Sequence, residues 1–502
     1  MTIRVFIANR GEIAIRIARS VRELGMVPIG IYTIPDKNSL HRRYLQEDVE
    51  VTSYIDVKEV VNAAVVLGAD LVHPGYGFLS ESPEFAEEVR GKGLTFVGPS
   101  PEAMRLSGDK LGAKEAASKA GVPTLPWLAS RDPKEVEEFA REHGYPLLVK
   151  AAGGGGGIGM RVIYGKEELE RKLEQSSKEA ERAFGDPRIF VEPYMAGTKH
   201  IEVQILADGD KAIHLYERDC SLQRRFQKIV EEAPAPALTP EQRKSILADA
   251  VKLMESVKYS NAGTVEMLFD PRTGRHYFME INARLQVEHT VTEMATGVDI
   301  VKKQLLIALE GSLPLRQEDV VLRGHAVEAR INAENPVTLL PSPGTITQYR
   351  EPGGPGIRVD SGYAAGYTIP MEYNMLISKV IAYGETRDEA IARLERALGE
   401  YVIRGVETNI PLIRALLDME EFRKGVHTTD LLAEKWAHVE RRVRRLLEAQ
   451  LLVGAAVIAA GKAKLERAGV KVSSEREASR AESIKRRAWT YWYMLRSRLP
   501  RR

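Results

Sequence analysis

Between Met279 and Glu288 the chain alternates two kinds of residue. Met279, Ile281, Ala283, Leu285 and Val287 are apolar, and Glu280, Asn282, Arg284, Gln286 and Glu288 stand between or beside them. A period of two marks an extended strand with one face buried. A solvated strand face ordinarily carries a mixture of Lys, Glu, Ser and Thr, whereas this one sets carboxylate, amide, guanidinium, amide and carboxylate in series. The two readings are an exposed strand with fortuitous polar spacing and a working surface. On the second reading the end carboxylates lie far apart, since a fully extended stretch from Glu280 to Glu288 spans roughly 26 Å. Two linked stations then follow, not one shared atom.

The upstream residues favour a cation at the first station. Thr264–Phe269 and Tyr277–Ile281 are strand-like, and the turn residues Asp270 to Gly274 lie between them, so the pair reads as a hairpin. A hairpin symmetric about Thr273 sets Glu266 opposite Glu280. Like charges facing across a ladder repel, unless a cation lies between them. Mg²⁺ favours carboxylate and amide oxygens completed by substrate phosphates, which makes Glu266, Glu280 and Asn282 the candidate metal ligands.

Near the N-terminus, Ile3–Ala8, Val27–Tyr32, Leu71–Val72 and Thr95–Val97 are strand-sized apolar runs. They alternate with helical stretches at Glu12–Leu24, Val57–Leu67 and Pro83–Lys92, the pattern of a doubly wound parallel sheet. The link after the first strand, NRGEIA, lacks the GxGxxG of a dinucleotide site. The loop His73–Glu81 follows a strand end, where such sheets place ligands, although its glycines equally suit ordinary turns. A helix over Gly108–Gly121 carries Lys110. The strand Tyr145–Lys150 delivers Lys150 to AAGGGGGIGM, whose Gly153–Gly157 run, including Gly155 and Gly156, is expected to close backbone N–H groups over phosphate. Backbone groups from Glu192 to Met195 suit an adenine edge. His200–Leu206 alternates like the opening strand. Asp219–Lys228 reads as a polar loop with a solvated face, and Gly324–Ala333 as another alternating strand carrying His325, Glu328 and Arg330. Turns and short strands between about Ile346 and Ala382 indicate an antiparallel region, followed by a helix at Arg387–Val402.

The 502 residues exceed one ordinary core, so about three structural units are expected. A formal net charge of +2 argues against nucleic acid as the main partner. The single cysteine, Cys220, excludes an intrachain disulfide and a cysteine-rich zinc site, and fits a reducing compartment. The N-terminus shows no cleavable signal pattern, and the apolar run Leu451–Gly461 is too short to span a bilayer. A cytoplasmic protein without a membrane span is the expectation.

Together IANRGEIA, HPGYGFLSE, Lys110, Lys150 with GGGGG, RDCSLQRR, EEAPAP, TVEMLF, EINARLQVEH and RGHAVEARINAE resemble biotin carboxylase, the ATP-grasp component of biotin-dependent carboxylases. The likeness runs in unbroken order from about Thr2 to about Glu434. It implies an α/β and α+β protein: an ATP-grasp fold with an N-terminal doubly wound, Rossmann-like domain (1–108), the ATP-grasp portion (109–315, with a mobile glycine-lid subdomain at about 125–198), a mixed α+β C-terminal domain (322–437) and a basic helical extension (438–502). It implies that ATP and bicarbonate give carboxyphosphate, whose CO₂ carboxylates biotin N1, with Mg²⁺ or Mn²⁺ bound by Glu266, Glu280 and Asn282. Lys110, Lys150, Gly155, Gly156, His200 and Gln223 would hold the nucleotide, with Glu192 and Met195 at its adenine. Arg284, Gln286 and the Val287 backbone resemble the bicarbonate clamp, Glu288 the base, Lys228 the cation for developing charge, and Arg330, with Tyr76, the biotin side. Three positions depart from the family pattern: Ile158 in the glycine run, Phe226 after QRR, and Asn374.

No AMKM-like biotinylation site occurs, and no length remains for a carboxyltransferase domain. The resemblance therefore implies biotin on a separate carrier protein, a homodimer, and a carboxyltransferase subunit completing an acyl-CoA or pyruvate carboxylase. Residues 441–502 hold 17 Lys and Arg against 5 Asp and Glu, leaving a formal −10 on the rest. That segment, with Trp489, Tyr491, Trp492 and Tyr493 near its end, reads either as a packed helix with a basic end or as a dock for an acidic partner protein. Another ATP-grasp ligase and a catalytically silent nucleotide-binding scaffold are the rival readings.

Overall fold

The apolar runs near the N-terminus pair as a parallel sheet in the computed structural model, which describes residues 2–154, 159–224 and 227–467. Its strands are β1 (Arg4–Ile7), β2 (Val27–Tyr32), β3 (Glu47–Glu50), β4 (Leu71–His73) and β5 (Thr95–Phe96), in the order β3-β2-β1-β4-β5. Val5, Phe6 and Ile7 are wholly buried, as a strand covered on both faces requires. The loops after β1 and β4 meet at the same sheet end. There Asn9 Nδ2 donates to Pro74 O at 2.7 Å and Tyr76 O at 2.8 Å. Gly75, at φ +66°, fits because a Cβ would stand 2.9 Å from that amide nitrogen.

A second, three-stranded sheet is built from β6 (Leu147–Ala151), β7 (Arg161–Ile163) and β8 (Ile189–Pro193), ordered β7-β6-β8. Helices Pro133–His143 and Lys166–Phe184 supply Val136, Ala140, Leu169 and Leu173 to its core. Gly155, Gly156 and Ile158, between β6 and β7, lie outside the described residues, as do Phe226 and the aromatic residues near the C-terminus.

The largest sheet has eight antiparallel strands: β9 (Lys199–Asp208), β10 (Ala212–Arg224), β11 (Gln227–Ala233), β12 (Ser260–Asp270), β13 (Arg275–Asn282), β14 (His325–Asn332), β17 (Ile357–Ser361) and β19 (Leu376–Gly384). Its order is β13-β12-β9-β10-β11-β14-β19-β17. The remaining short strands, β15 (Gly344–Thr345), β16 (Gln348–Arg350), β18 (Thr368–Ile369) and β20 (Val402–Arg404), pair β15 with β18 and β16 with β20.

Four local expectations change. Within the expected polar loop Asp219–Lys228, residues 219–224 instead belong to β10 and 227–228 to β11, whose ends face each other, and Asp219, Ser221 and Gln223 are buried. These groups satisfy one another: Ser221 N donates to Asp219 Oδ1 at 3.0 Å, and Lys199 Nζ reaches Asp219 Oδ2 at 2.7 Å. The expected strand from Met279 to Glu288 stops at Asn282, and Glu288 sits immediately before the helix His289–Thr296. The alternation continues through this non-strand segment because Ala283 and Leu285 anchor it in the core at 1% exposure each. The hairpin keeps Glu266 opposite Glu280, but a bulge then pairs Met267 with Phe278, so symmetry about Thr273 fails toward the turn. Lastly, the helix expected over Gly108–Gly121 is confined to Lys110–Lys119 and starts at Asp109, whose side chain accepts from Leu111 N, and a separate helix, Pro101–Gly108, ends just before it.

The chain divides into two units, Met1–Trp436 and Ala437–Arg502. The second is helical as far as it is described, to Arg467, with Leu451 and Leu452 exposed. Among the described residues no helix is long and apolar enough to cross a membrane.

Candidate active site

A cleft of about 930 Å³ opens between the N-terminal loops, the start of the glycine run and one face of the eight-stranded sheet. Tyr76, Lys110, Lys150, His200, Gln223, Lys228, Glu266, Glu280, Asn282, Arg284, Gln286, Val287, Glu288 and Arg330 all line it. Glu192 and Met195 do not. The Glu192 carboxylate is buried between Lys150 at 2.5 Å and Lys114 at 2.8 Å. Burial opposes its ionisation, but the two ammonium groups hold it below the usual carboxylate range. The Met195 carbonyl accepts from Thr198 Oγ1 at 3.1 Å.

At the first station Lys110, the first residue of its helix, reaches Glu280 Oε2 at 3.2 Å and donates to Gly154 O. Glu266 is met by three elements. His200 Nε2 lies 2.8 Å from its Oε2, while Lys228 Nζ at 3.2 Å, Asn282 Nδ2 at 2.9 Å and Gln286 Nε2 at 3.0 Å share its Oε1. The cations demanded by two facing carboxylates are thus side chains here. Burial disfavours a charged His200, yet Glu266 outweighs it and raises the imidazole. Gln223 Nε2 fixes the other ring nitrogen at 2.6 Å. Glu266, Glu280 and Asn282 carry the oxygen chemistry that suits a hard divalent ion, with the Asn282 amide nitrogen turned to Glu266 and its oxygen to Arg284, and Lys110, Lys228 and His200 supply positive charge to this corner.

The second station is contiguous with the first, because the chain leaves the strand at Ala283. Lys228 Nζ lies 2.6 Å from Glu288 Oε1 and also engages Glu202. Arg330 Nη2 holds Glu288 Oε2 at 2.8 Å, and its Nε donates to Glu231 Oε1 at 2.5 Å. Beneath them Arg218, wholly buried, donates to Gln204 and Gln286 at 2.8 Å each and to Glu202 at 3.2 Å. Burial pushes the Glu288 carboxyl up, but Lys228, Arg330 and Arg218 hold it well below the ordinary carboxylate range. Burial likewise opposes charge on Lys228, and Glu202, Glu266 and Glu288 raise it well above a normal lysine.

Arg284 has three partners: Glu81 Oε2 at 3.0 Å from Nε, Asn282 Oδ1 at 3.0 Å from Nη2 and Leu285 O at 3.3 Å from Nη1. The Val287 carbonyl accepts from Lys379 Nζ at 2.7 Å. Tyr76 donates to Glu12, which also pairs with Lys379 at 3.2 Å. Asn374 lines the cleft and turns its Oδ1 to Leu376 N at 3.0 Å.

The sequence reading missed Glu202, Arg218, Glu231, Glu81, Glu12 and Lys379. Glu202 was accessible to it, since the alternation of HIEVQIL puts His200, Glu202 and Gln204 on one face. Arg218 carried no local signal, because its partners come from β9, β12 and the segment after β13.

Sequence models of known families match most of the chain. The biotin carboxylase N-terminal domain matches residues 1–104, the ATP-binding domain of the carbamoyl-phosphate synthase L chain matches 109–316, and the biotin carboxylase C-terminal domain matches 328–434. A biotin carboxylase from Pseudomonas aeruginosa is 48% identical over 432 residues, covering 84% of this chain and 96% of that protein. A biotin carboxylase from Haemophilus influenzae is 45% identical over 442 residues, covering 86% of this chain and 98% of that one. Among solved structures, the biotin carboxylase domain dimer of Hydrogenobacter thermophilus 2-oxoglutarate carboxylase, in complex with MgADP, ADP and bicarbonate, superposes with a TM-score of 0.85 at 43% identity, covering 88% of this chain and 99% of that one.

Proposed function

This chain belongs to the biotin carboxylase family, and from that premise we propose how its residues divide the labour of carboxylating carrier-bound biotin with ATP and bicarbonate. Bicarbonate is a poor nucleophile, so ATP is spent in a closed site to make carboxyphosphate, whose CO₂ passes to biotin N1. Lys110, Lys150, His200 and Gln223 bind the nucleotide. Gly155 and Gly156 complete its phosphate contacts and the backbone from Glu192 to Met195 its adenine contacts, the Glu192 carboxylate staying between Lys150 and Lys114. Glu266, Glu280 and Asn282 hold Mg²⁺, which supplies charge neutralisation for the phosphates.

Arg284, Gln286 and the Val287 backbone hold bicarbonate, the guanidinium matching two oxygens of a planar anion. Glu288 takes the bicarbonate proton. In the resting site its two oxygens are held by Lys228 and Arg330, which makes it a weak base. Entry of phosphate and bicarbonate gives those cations new anionic partners, loosens their hold and raises the basicity of Glu288 at the moment a proton must move. Arg330 then stabilises the biotin enolate oxygen, with Tyr76 beside it, and Lys228 faces charge developing on the transferred group.

Biotin reaches the site on a separate carrier protein, and a carboxyltransferase subunit uses the product. A homodimer in the cytoplasm completes the reading. The observation that carries it is Lys228 bridging Glu202, Glu266 and Glu288 between the metal corner and the bicarbonate corner. The test is ATP hydrolysis with bicarbonate, with and without free biotin. Biotin stimulation is expected in the wild type, and Glu288→Gln should lower the bicarbonate-dependent rate on the order of 10²-fold or more. An unimpaired Glu288→Gln rate overturns the base assignment, and an enzyme that responds to bicarbonate alone belongs with other ATP-grasp ligases.

A further inference from the structure

The ladder between β11 and β14 sets Glu231 directly opposite Glu328. Facing residues of an antiparallel pair project to the same side, with Cβ atoms about 4.5–5.5 Å apart. Both side chains are buried, at 1% and 0% exposure. Each carboxyl uses one oxygen: Glu231 Oε1 accepts from Arg330 Nε, and Glu328 Oε2 accepts from Thr290 Oγ1. Each leaves its other oxygen, Glu231 Oε2 and Glu328 Oε1, buried without a hydrogen-bond partner among the described residues.

Two facing, ionised, half-satisfied carboxylates would combine like-charge repulsion with two desolvated acceptors. One proton removes both penalties, since the protonated carboxyl donates and the other accepts. We propose that Glu231 and Glu328 share a single proton at neutral pH and that this pair is a positioning device acting through Arg330. The second half rests on the biotin-side reading of Arg330 given above.

The surrounding charges fit one proton. Lys379 from β19 and Arg330 from β14 face the pair as cations, and Lys228 stands farther along β11. Glu288, Glu12, Tyr76 and Cys220 are the other titratable groups around it. Burial, with Glu288 adding to it and Arg330 opposing, pushes Glu231 up to about 7. Burial, with Glu231 adding and Lys379 opposing, pushes Glu328 up to about 8. When the shared proton leaves, the added negative charge strengthens the pull of Glu231 on Arg330, away from Glu288 and from an anion bound in the cleft.

The consequence for stability has a definite sign. The folded chain keeps a proton that the unfolded chain releases near an ordinary carboxylate value, so stability falls as pH rises from about 4.5 through about 8. Glu328→Gln replaces the proton with a permanent amide donor and removes that decline. The thermal midpoint of the variant minus that of the wild type should therefore widen by a few degrees between about pH 5 and 8.5. The fall of kcat/KM for free biotin on the alkaline side should move upward by about one pH unit, with KM for ATP unmoved. Glu231→Gln should flatten the same decline in stability while also lowering kcat/KM for biotin about tenfold, because Arg330 loses an anionic partner. A midpoint gap that stays constant with pH in both variants overturns the shared proton. A widening gap with an unmoved biotin profile overturns the positioning role. If the wild type does not use biotin at all, the activity reading fails while the melting series still decides the proton.

Discussion

At the scale of single residues, charge neutrality in this cleft is assembled pair by pair. Among the described residues Lys228 touches three carboxylates, Glu266 collects donors from four side chains, and Glu280 has Lys110 alone. Glu280 is thus the ligand candidate whose removal disturbs the fewest neighbours, which makes it the clean test of the metal corner. Glu280→Gln keeps size and polarity but lowers the negative charge available to a hard cation, and it frees Lys110. Turnover at saturating ATP should fall on the order of 10²-fold, with the Mg²⁺ concentration for half-maximal rate shifted upward. Initial rates across a Mg²⁺ series check this, and an unchanged Mg²⁺ response removes Glu280 from the ligand set. The same pairwise neutrality explains why Asp219–Lys228 was misread. Its charges look destined for water when only the local segment is seen, whereas Lys199, Glu202 and Glu334 meet Asp219, Lys228 and Arg224 in the folded chain.

At the scale of elements, most of the fold was legible because hydrophobic spacing does the forming. Four of the five N-terminal strands, the helices between them and the hairpin that opposes Glu266 to Glu280 follow from apolar runs and from periods of two and 3.6, whereas β3, whose EDVE sequence offers no apolar run, does not. The Met279–Glu288 stretch marks the limit of that signal. Alternation of residue type records neither which backbone groups pair nor, here, which side chains are buried, since Gln286 and Glu288 are buried and Val287 is half-buried, so a loop pinned by Ala283 and Leu285 looks like a strand. Register sensitivity consequently applies to Glu280 and Asn282 in β13 and not to Arg284, Gln286 or Glu288. Backbone demands invisible to periodicity appear at Gly324, which enters β14 at φ +58° with Gly384 O only 2.3 Å from where a Cβ would stand. Gly324→Ala combines left-handed strain with a backbone collision, for an expected loss of about 2–4 kcal/mol. Gly311, at φ +66° after the helix Ile300–Glu310, has no atom of the described residues within 4 Å of the same position. Gly311→Ala should cost only about 1 kcal/mol, and denaturant melts of the two variants measure the difference. Equal losses would show that the approach to Gly384 does not constrain β14.

At the scale of the whole molecule, charge is divided unevenly along the chain. Residues 441–502 carry 17 basic and 5 acidic side chains, against a formal −10 for the preceding residues and +2 overall. The family matches stop at residue 434, and the site residues discussed above all fall before that point. The described part of the second unit is a helix bearing exposed Leu451 and Leu452 downstream of the RRVRR run at residues 441–445. Basic charge combined with exposed leucines suits an acidic protein surface with an apolar centre, where charge steers approach and apolar contact holds the complex. Truncation at Val439 should then leave free-biotin carboxylation within about twofold of the full chain, since every residue given a substrate or metal role above precedes it. It should weaken association with carrier and transferase subunits on the order of tenfold or more, and association of the full chain should weaken as salt rises because screening shortens the reach of exposed charge. Sedimentation or light scattering of the mixed proteins across a salt series, paired with a free-biotin assay on the same preparations, separates the outcomes. Loss of both activities on truncation would make the helix a structural support of the first unit, and full retention of assembly would show that its charge is not read by these partners.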